Sequence, residues 1–85
     1  MLEPDPVQVH IVQQWVLKAE HDLTTAAITL KLGTHGPTDT ICFHAQQCVE
    51  KYLKALLAWH GVDAPKTHNI KRLLPLLPWL PKQAL

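Results

Sequence analysis

The chain has 85 residues, which is enough for one small domain, predicted here to span residues 1–85. A domain of this length buries only about 60% of its unfolded surface, so folding alone is marginal and association with another chain is expected. The formal net charge of +1 argues against the dense basic surface of a duplex-binding protein. A hydrophobic share of 47% is typical of a globular domain and excludes low-complexity disorder.

The beginning of the chain does not resemble a targeting signal. Residues 1–6 are acidic and interrupted by two prolines, unlike a signal peptide. No apolar run approaches the ~20 residues needed to cross a bilayer. We interpret Cys42 and Cys48 as free thiols of a reducing compartment. The sequence therefore predicts a cytoplasmic protein without membrane contact.

The first predicted helix lies between Val7 and Leu32, a stretch without glycine or proline. Apolar residues recur there in steps of three and four, which is the signature of a helix with one buried stripe. Gly33 is predicted to end this helix in a left-handed conformation. The stripe expected to face the core is Val12, Trp15, Ala19, Leu23, Ala26 and Leu30, with Lys18, Glu20, Asp22 and Lys31 outside it.

A second helix is predicted to begin at a cap formed by Thr38 or Asp39 and to run to about His60, where Gly61 stops it. Phe43 and Leu57 fall on the side away from the predicted core, which suggests a surface for self-association. The predicted core face is Cys42, Ala45, Val49, Tyr52, Leu53, Leu56 and Trp59.

A short third helix is predicted after Thr67, which is a suitable capping residue. It carries Ile70, Leu73, Leu74 and Leu77, and Pro75 must shorten or kink it. The apolar residues that continue to Leu80 indicate a further packed element. We therefore predict an all-α, up-and-down antiparallel helical bundle that lacks its last helix. The domain is then either truncated at its C-terminus or completed by another subunit.

Two polar segments are candidates for binding. On the second helix, His44, Gln47, Lys51 and Lys54 share one stripe that could hold a phosphate and the edge of a base. The alternative is a solvated helix face on which Glu50 pairs with Lys54. The second segment is Lys66-Thr67-His68, which reads either as an anion site before the third helix or as a capped surface turn.

The sequence offers little support for a metal site or for catalysis. His44 and Cys48 are four residues apart, but no third metal ligand lies near them in the sequence. There is no Gly-rich phosphate loop and no paired-carboxylate motif. We therefore expect no cofactor, no metal and no catalytic residue.

Two segments resemble the HEPN domain family (higher eukaryotes and prokaryotes nucleotide-binding). The first helix carries Trp15-x-x-Lys18-Ala19-Glu20-x-Asp22-Leu23-x-x-Ala26. The more specific part is CFHAQQCVEKYLKALL over residues 42–57, followed by Gly61, PKTHNI over residues 65–70 and Leu73-Leu74. The resemblance covers about Trp15 to Leu77 and is closest to the prokaryotic pattern.

The resemblance implies a helical bundle that usually forms a homodimer. Many prokaryotic members are encoded beside a minimal nucleotidyltransferase, often as a toxin–antitoxin or stress module. Others are ribonucleases with an Arg followed four to six residues later by a His, but no His follows Arg72 here, and Lys54 to His60 is only a partial imitation.

We therefore predict a binding module that associates with a nucleotidyltransferase-type partner and contacts a nucleotide or RNA, rather than an enzyme. One alternative is a metal-independent ribonuclease, which the missing Arg-to-His motif disfavours. Another is a purely structural remnant, the truncated product of a gene, with an exposed apolar face. The predicted nucleotide-binding residues are His44, Gln47, Lys51, Lys54, Lys66 and His68.

Overall fold

The computed structural model describes residues 5–77. It contains two long helices, α1 (Pro6–Leu30) and α2 (Thr38–Trp59), and a single-turn helix, α3 (Ile70–Leu73). Short 3-10 turns lie at Gly33–His35 and Leu74–Leu76. No β-strand occurs between residues 5 and 77, and the prediction of an all-α helical bundle is confirmed.

The N-terminus of helix α1 is capped by the side chain of Asp5. The Asp5 carboxylate accepts a hydrogen bond from the backbone N–H of Gln8 at 2.9 Å, and Pro6 occupies the first helical position, where no N–H is needed. The helix ends at Leu30, slightly before the predicted limit. Gly33 does adopt the left-handed conformation, with φ of 64°, but in the 3-10 turn rather than as the cap.

Helix α2 begins differently from the prediction. Neither Thr38 nor Asp39 caps it, since the flanking residue is Pro37 and Asp39 accepts its hydrogen bond from the N–H of Thr40. The predicted cap is therefore wrong. Proline supplies the extended conformation needed before the first turn without any side-chain hydrogen bond.

The end of α2 agrees with the prediction that Gly61 stops it. Gly61 has a φ of 72°, its N–H donates to the carbonyl of Ala58, and the N–H of Val62 donates to the carbonyl of Leu57 at 2.8 Å. These two bonds form a Schellman motif, which satisfies carbonyls that the helix leaves unpaired. Val62 also packs against the apolar cluster that contains Leu57, a contact that frequently accompanies this motif.

The two long helices run antiparallel. The side-chain amide of Gln8, near the beginning of α1, donates to the carbonyls of Ala58 and Trp59 at the end of α2. Further along the pair, Asp22 contacts His44. The predicted antiparallel arrangement is thus confirmed, and it places the polar side chains of both helices opposite each other.

Helix α3 is short, as Pro75 predicted, and continues only as the 3-10 turn. Its cap is Asn69, whose carboxamide oxygen accepts from the N–H of Lys71, whereas the hydroxyl of Thr67 accepts from the N–H of Asn69. The predicted Thr67 cap is therefore two residues too early. The cluster that holds α3 against α2 is Leu57, Leu73 and Leu77, with Leu53, Val62, Ala64 and Leu74 packed against it.

The predicted core face of α2 is largely wrong. Cys42 and Ala45 are exposed, as are the larger residues Tyr52, Leu56 and Trp59. Leu57, predicted to lie away from the core, is completely buried, while Phe43 is 57% exposed as expected. Val49 is likewise exposed and Leu53 is half-buried.

The prediction of which α1 residues face the core is only partly correct. Ala19 and Ala26 are buried as predicted, but Leu23 and Leu30 are exposed, and Asp22, predicted to lie outside the stripe, is buried. The buried residues of both long helices include small ones, and small side chains at a contact let helix axes approach closely. Several larger apolar residues of the two helices, Leu23 and Leu30 among them, lie on the outside, whereas Leu57 is a large residue that is buried.

Some predictions lie outside the described residues. Trp79 and Leu80 of the apolar tail belong to this group, as does the predicted absence of a last helix. The prediction that residues 1–85 form one truncated domain stays a prediction. Within residues 5–77, no helix combines the length and hydrophobicity needed to cross a membrane.

Candidate functional site

The contact between α1 and α2 contains a polar cluster centred on Asp22. One carboxylate oxygen of Asp22 lies 2.8 Å from Nδ1 of His44, and the other accepts a hydrogen bond from the ammonium group of Lys51. Burial opposes ionisation of Asp22, but the hydrogen bonds from Lys51 and His44 outweigh it and hold its pKa below the ordinary value. Asp22 is therefore an anion at neutral pH, and we call these three residues the Asp22 cluster.

A second cluster is centred on Glu50, which is 1% exposed. One oxygen of Glu50 accepts from Lys54 Nζ at 3.1 Å and lies 2.8 Å from Nδ1 of His68. The other oxygen is buried and has no partner among the described residues. Lys54 is buried as well, and its ammonium group lies 5.1 Å from the ring centre of Trp15, within cation–π range. Glu50, Lys54 and His68 are called the Glu50 cluster.

The two clusters neutralise much of the positive charge that the sequence places on this helix. Lys51 and Lys54 each have a carboxylate partner, so neither presents an uncompensated charge. His44 and His68 differ from the two lysines in this respect. Each contacts a carboxylate only through Nδ1, so Nε2 of the ring is not used in that contact. His68 is the more accessible of the two, with 80% of its side chain exposed.

The structure places four of the six predicted nucleotide-binding residues in the two clusters. His44 and Lys51 belong to the Asp22 cluster, and Lys54 belongs to the Glu50 cluster together with His68. Gln47 is half-buried and Lys66 is exposed. The expectation of a solvated stripe does not hold for Lys54, while the nucleotide-binding role of all six residues stays a prediction.

The two carboxylates that organise the site, Asp22 and Glu50, were not predicted from the sequence as site residues. The burial of Asp22 could have been predicted from its spacing. Asp22 lies three residues after Ala19 and four before Ala26, on the same helical stripe. Glu50 was noted only as a surface partner of Lys54. One of its two partners is His68, which comes from the loop before α3, and spacing along one helix does not reveal such a contact.

Cys48 lies near the Asp22 cluster and is buried. Burial, reinforced by the charge of Asp22, raises the pKa of its thiol, so the reactive thiolate is disfavoured. Across residues 5–77, no group of three or more His, Cys, Asp or Glu side chains is arranged to hold a metal ion.

A separate surface lies on the outside of the helix pair. It is a groove of about 560 Å³ between α1 and α2, and none of the residues that line it is charged. Tyr52, Leu56 and Trp59 are each more than a third exposed there. We call this surface the outer apolar face, and its residues are Val12, Val16, Tyr52, Ala55, Leu56 and Trp59.

Comparison with known proteins agrees with this architecture. The chain is 36% identical over 61 residues to a protein of Methanocaldococcus jannaschii named "Putative toxin MJ1304". The match covers 72% of this chain but 38% of that protein, so the chain spans about two fifths of its relative's length. No solved structure matches the chain. The family model described as "HEPN domain" matches residues 12–81, and the chain therefore belongs to the HEPN domain family.

Proposed function

We propose that the chain is the binding module of a toxin–antitoxin-type or stress-type system and that it works through protein association. Its partners in this proposal are a second copy of itself and a nucleotidyltransferase-family protein. The observation that carries the proposal is the outer apolar face. The name of the relative from Methanocaldococcus jannaschii supports the link to toxins.

The outer apolar face has the composition of a protein interface. Tyr52 and Trp59 are aromatic residues of the kind enriched at the centres of interfaces, and Leu56 lies between them in the sequence. Contiguous apolar surface of this kind is seldom left uncovered on a soluble monomer. The polar clusters, by contrast, are already occupied by contacts within the chain.

A co-purification experiment tests the partner. A tagged nucleotidyltransferase-family protein from the same genome is co-expressed with the wild-type chain and with Leu56→Glu. We expect the wild type to co-purify and Leu56→Glu to be lost. Leu17→Glu is the matched control, because Leu17 is also an exposed leucine but does not line the face. Failure of the wild type to co-purify, or loss of both variants alike, would argue against the proposed partner.

We further propose that the predicted polar residues contact a nucleotide or an RNA phosphate. Lys66 and His68 are the most accessible of them. Each exposed lysine should contribute on the order of 1 kcal/mol, weakening as salt screens it. Lys54 is not a clean test residue, since its removal would leave the buried Glu50 without its ammonium partner.

Titration of ATP and of a short RNA at low and moderate salt tests this contact. We expect Lys66→Ala to weaken binding at low salt while leaving the unfolding midpoint unchanged, because Lys66 is exposed. For the Asp22 cluster, the variant to titrate combines Asp22→Asn with Lys51→Met. It removes both charges of the ion pair together, so that neither is left unpaired. Absence of binding by the wild type would refute the nucleotide contact without affecting the co-purification result.

A ribonuclease is the second candidate, and one observation favours it. His44 and His68 each have Nδ1 on a carboxylate, an arrangement that orients the ring of a general acid or base. However, the only arginine, Arg72, has no His after it, and lysine acts on phosphate only as a point charge. We expect no cleavage of mixed-sequence RNA by this chain alone. Cleavage that His44→Ala or His68→Ala abolishes would contradict this expectation.

A further inference from the structure

A second groove, distinct from the outer apolar face, lies at the end of the helix pair where α1 begins and α2 ends. It has a volume of about 890 Å³. Val7, Ile11 and Trp15 of α1 form one wall, and Val62 and Ala64 after α2 form part of the other. We call it the terminal groove. Its largely apolar walls, which include one aromatic residue, Trp15, fit a peptide segment better than a highly charged ligand.

The exposed charged residues at this groove are both acidic. Asp5 and Asp63 line it and are exposed, whereas Lys54, the cation that also lines it, is already paired with Glu50. A segment that binds here should therefore combine apolar side chains with a basic residue. This requirement disfavours a phosphate and favours a basic, aromatic peptide.

We propose that the terminal groove is the docking site of the chain's own residues 78–85, whose sequence is PWLPKQAL. Trp79 and Leu80 supply apolar side chains, and Lys82 is the only cation of the segment and matches the two aspartates. Aromatic-lined grooves commonly take extended, proline-containing segments, because proline reduces the ordering cost of binding.

The position of Leu77 places the start of residues 78–85 close to the terminal groove. Leu77 is buried in the cluster with Leu57 and Leu73, and that cluster also packs against Val62 and Ala64, which line the groove. Its backbone is extended, with φ of −71° and ψ of 121°. Eight extended residues span up to roughly 26–29 Å, whereas the part of α1 from Pro6 to Trp15 that lines the groove rises only about 14 Å.

A double-mutant cycle in the full chain tests the docking. Ile11→Ala and Trp79→Ala are made singly and together, and the urea midpoint of each protein is measured. If Trp79 binds beside Ile11, the double variant should lose clearly less than the sum of the two single losses. Leu23→Ala is the matched control, since Leu23 is an exposed leucine of α1 that does not line the groove, and its loss should add to that of Trp79→Ala.

A charge exchange provides a second test that does not depend on the apolar core. Lys82→Glu should lower the thermal midpoint, and adding Asp63→Lys should restore it. Both tests are repeated at hundredfold lower protein concentration. Docking within one chain predicts coupling that is independent of concentration. Additive losses with no charge rescue, or coupling that disappears on dilution and so belongs to a second copy, would overturn the proposal.

Discussion

Asp22 and Glu50 are charged residues in the interior of a very small protein. Removing a carboxylate from water is costly, and the cost is offset only when the partners are close and well oriented. Asp22 meets this condition with two partners from α2. Glu50 meets it with Lys54 and His68 on one oxygen, while its other oxygen has no partner within residues 5–77.

The lowered pKa of Asp22 predicts how stability depends on pH. Because its folded pKa lies below the value in the unfolded chain, ordinarily about 3.9, Asp22 stabilises the fold above that pH. This contribution is lost as the pH falls through the folded pKa. We expect Asp22→Asn to reduce the free energy of unfolding at pH 7 by about 1–3 kcal/mol.

Urea unfolding of wild type and Asp22→Asn at pH 7 and at pH 3 measures this effect. The difference between the two proteins should shrink at pH 3, since the wild-type carboxylate then begins to lose its advantage. Comparing the two proteins cancels the contribution of other carboxylates. A difference of the same size at both pH values would show that Asp22 does not stabilise the fold through its charge.

The polar residues on α2 could be predicted from the sequence, but their environment could not. Spacing along one helix places His44, Lys51 and Lys54 on one side. Whether that side faces water depends on residues far away in the chain. Asp22 is 29 residues from Lys51, and His68 is 18 residues from Glu50.

At the scale of the helices, two adjacent leucines of α2 distinguish the two possible core faces. Leu57 is completely buried against Leu73 and Leu77, whereas Leu56 is 41% exposed on the outer apolar face. Leu57→Ala should therefore reduce the free energy of unfolding by ~2–5 kcal/mol because it leaves a cavity. Leu56→Ala should cost less than about 1 kcal/mol in the monomer.

Chemical denaturation at low protein concentration, where association is weakest, measures both variants. The two substitutions remove the same atoms from neighbouring positions of one helix, so helix propensity cancels between them. A larger loss for Leu56→Ala than for Leu57→Ala would restore the core face predicted from the sequence.

The limits of the helices could be predicted from the sequence more readily than the face that each helix buries. Gly61, Pro75 and the glycine-free run of α1 predicted the two long helices and the short third one. Periodicity identifies residues that share a face, but it does not show which of two apolar faces is buried. Here small residues such as Ala19 and Ala26 lie inside, while larger ones such as Tyr52 and Trp59 remain outside.

The molecule as a whole is a helix pair that has polar contacts in its interior and the outer apolar face on its surface. A chain of 85 residues has little core to offset the ordering of its backbone. The outer apolar face offers additional burial, but only with a partner. Association would therefore contribute to stability as well as to function.

Sedimentation equilibrium at micromolar concentration tests the central claim, that the outer apolar face is an interaction surface, most directly. We predict that the wild-type chain self-associates, that Leu56→Glu is monomeric with an unchanged helical circular dichroism spectrum, and that Leu17→Glu behaves as the wild type. A wild-type chain that is a well-folded monomer throughout this concentration range would contradict the claim.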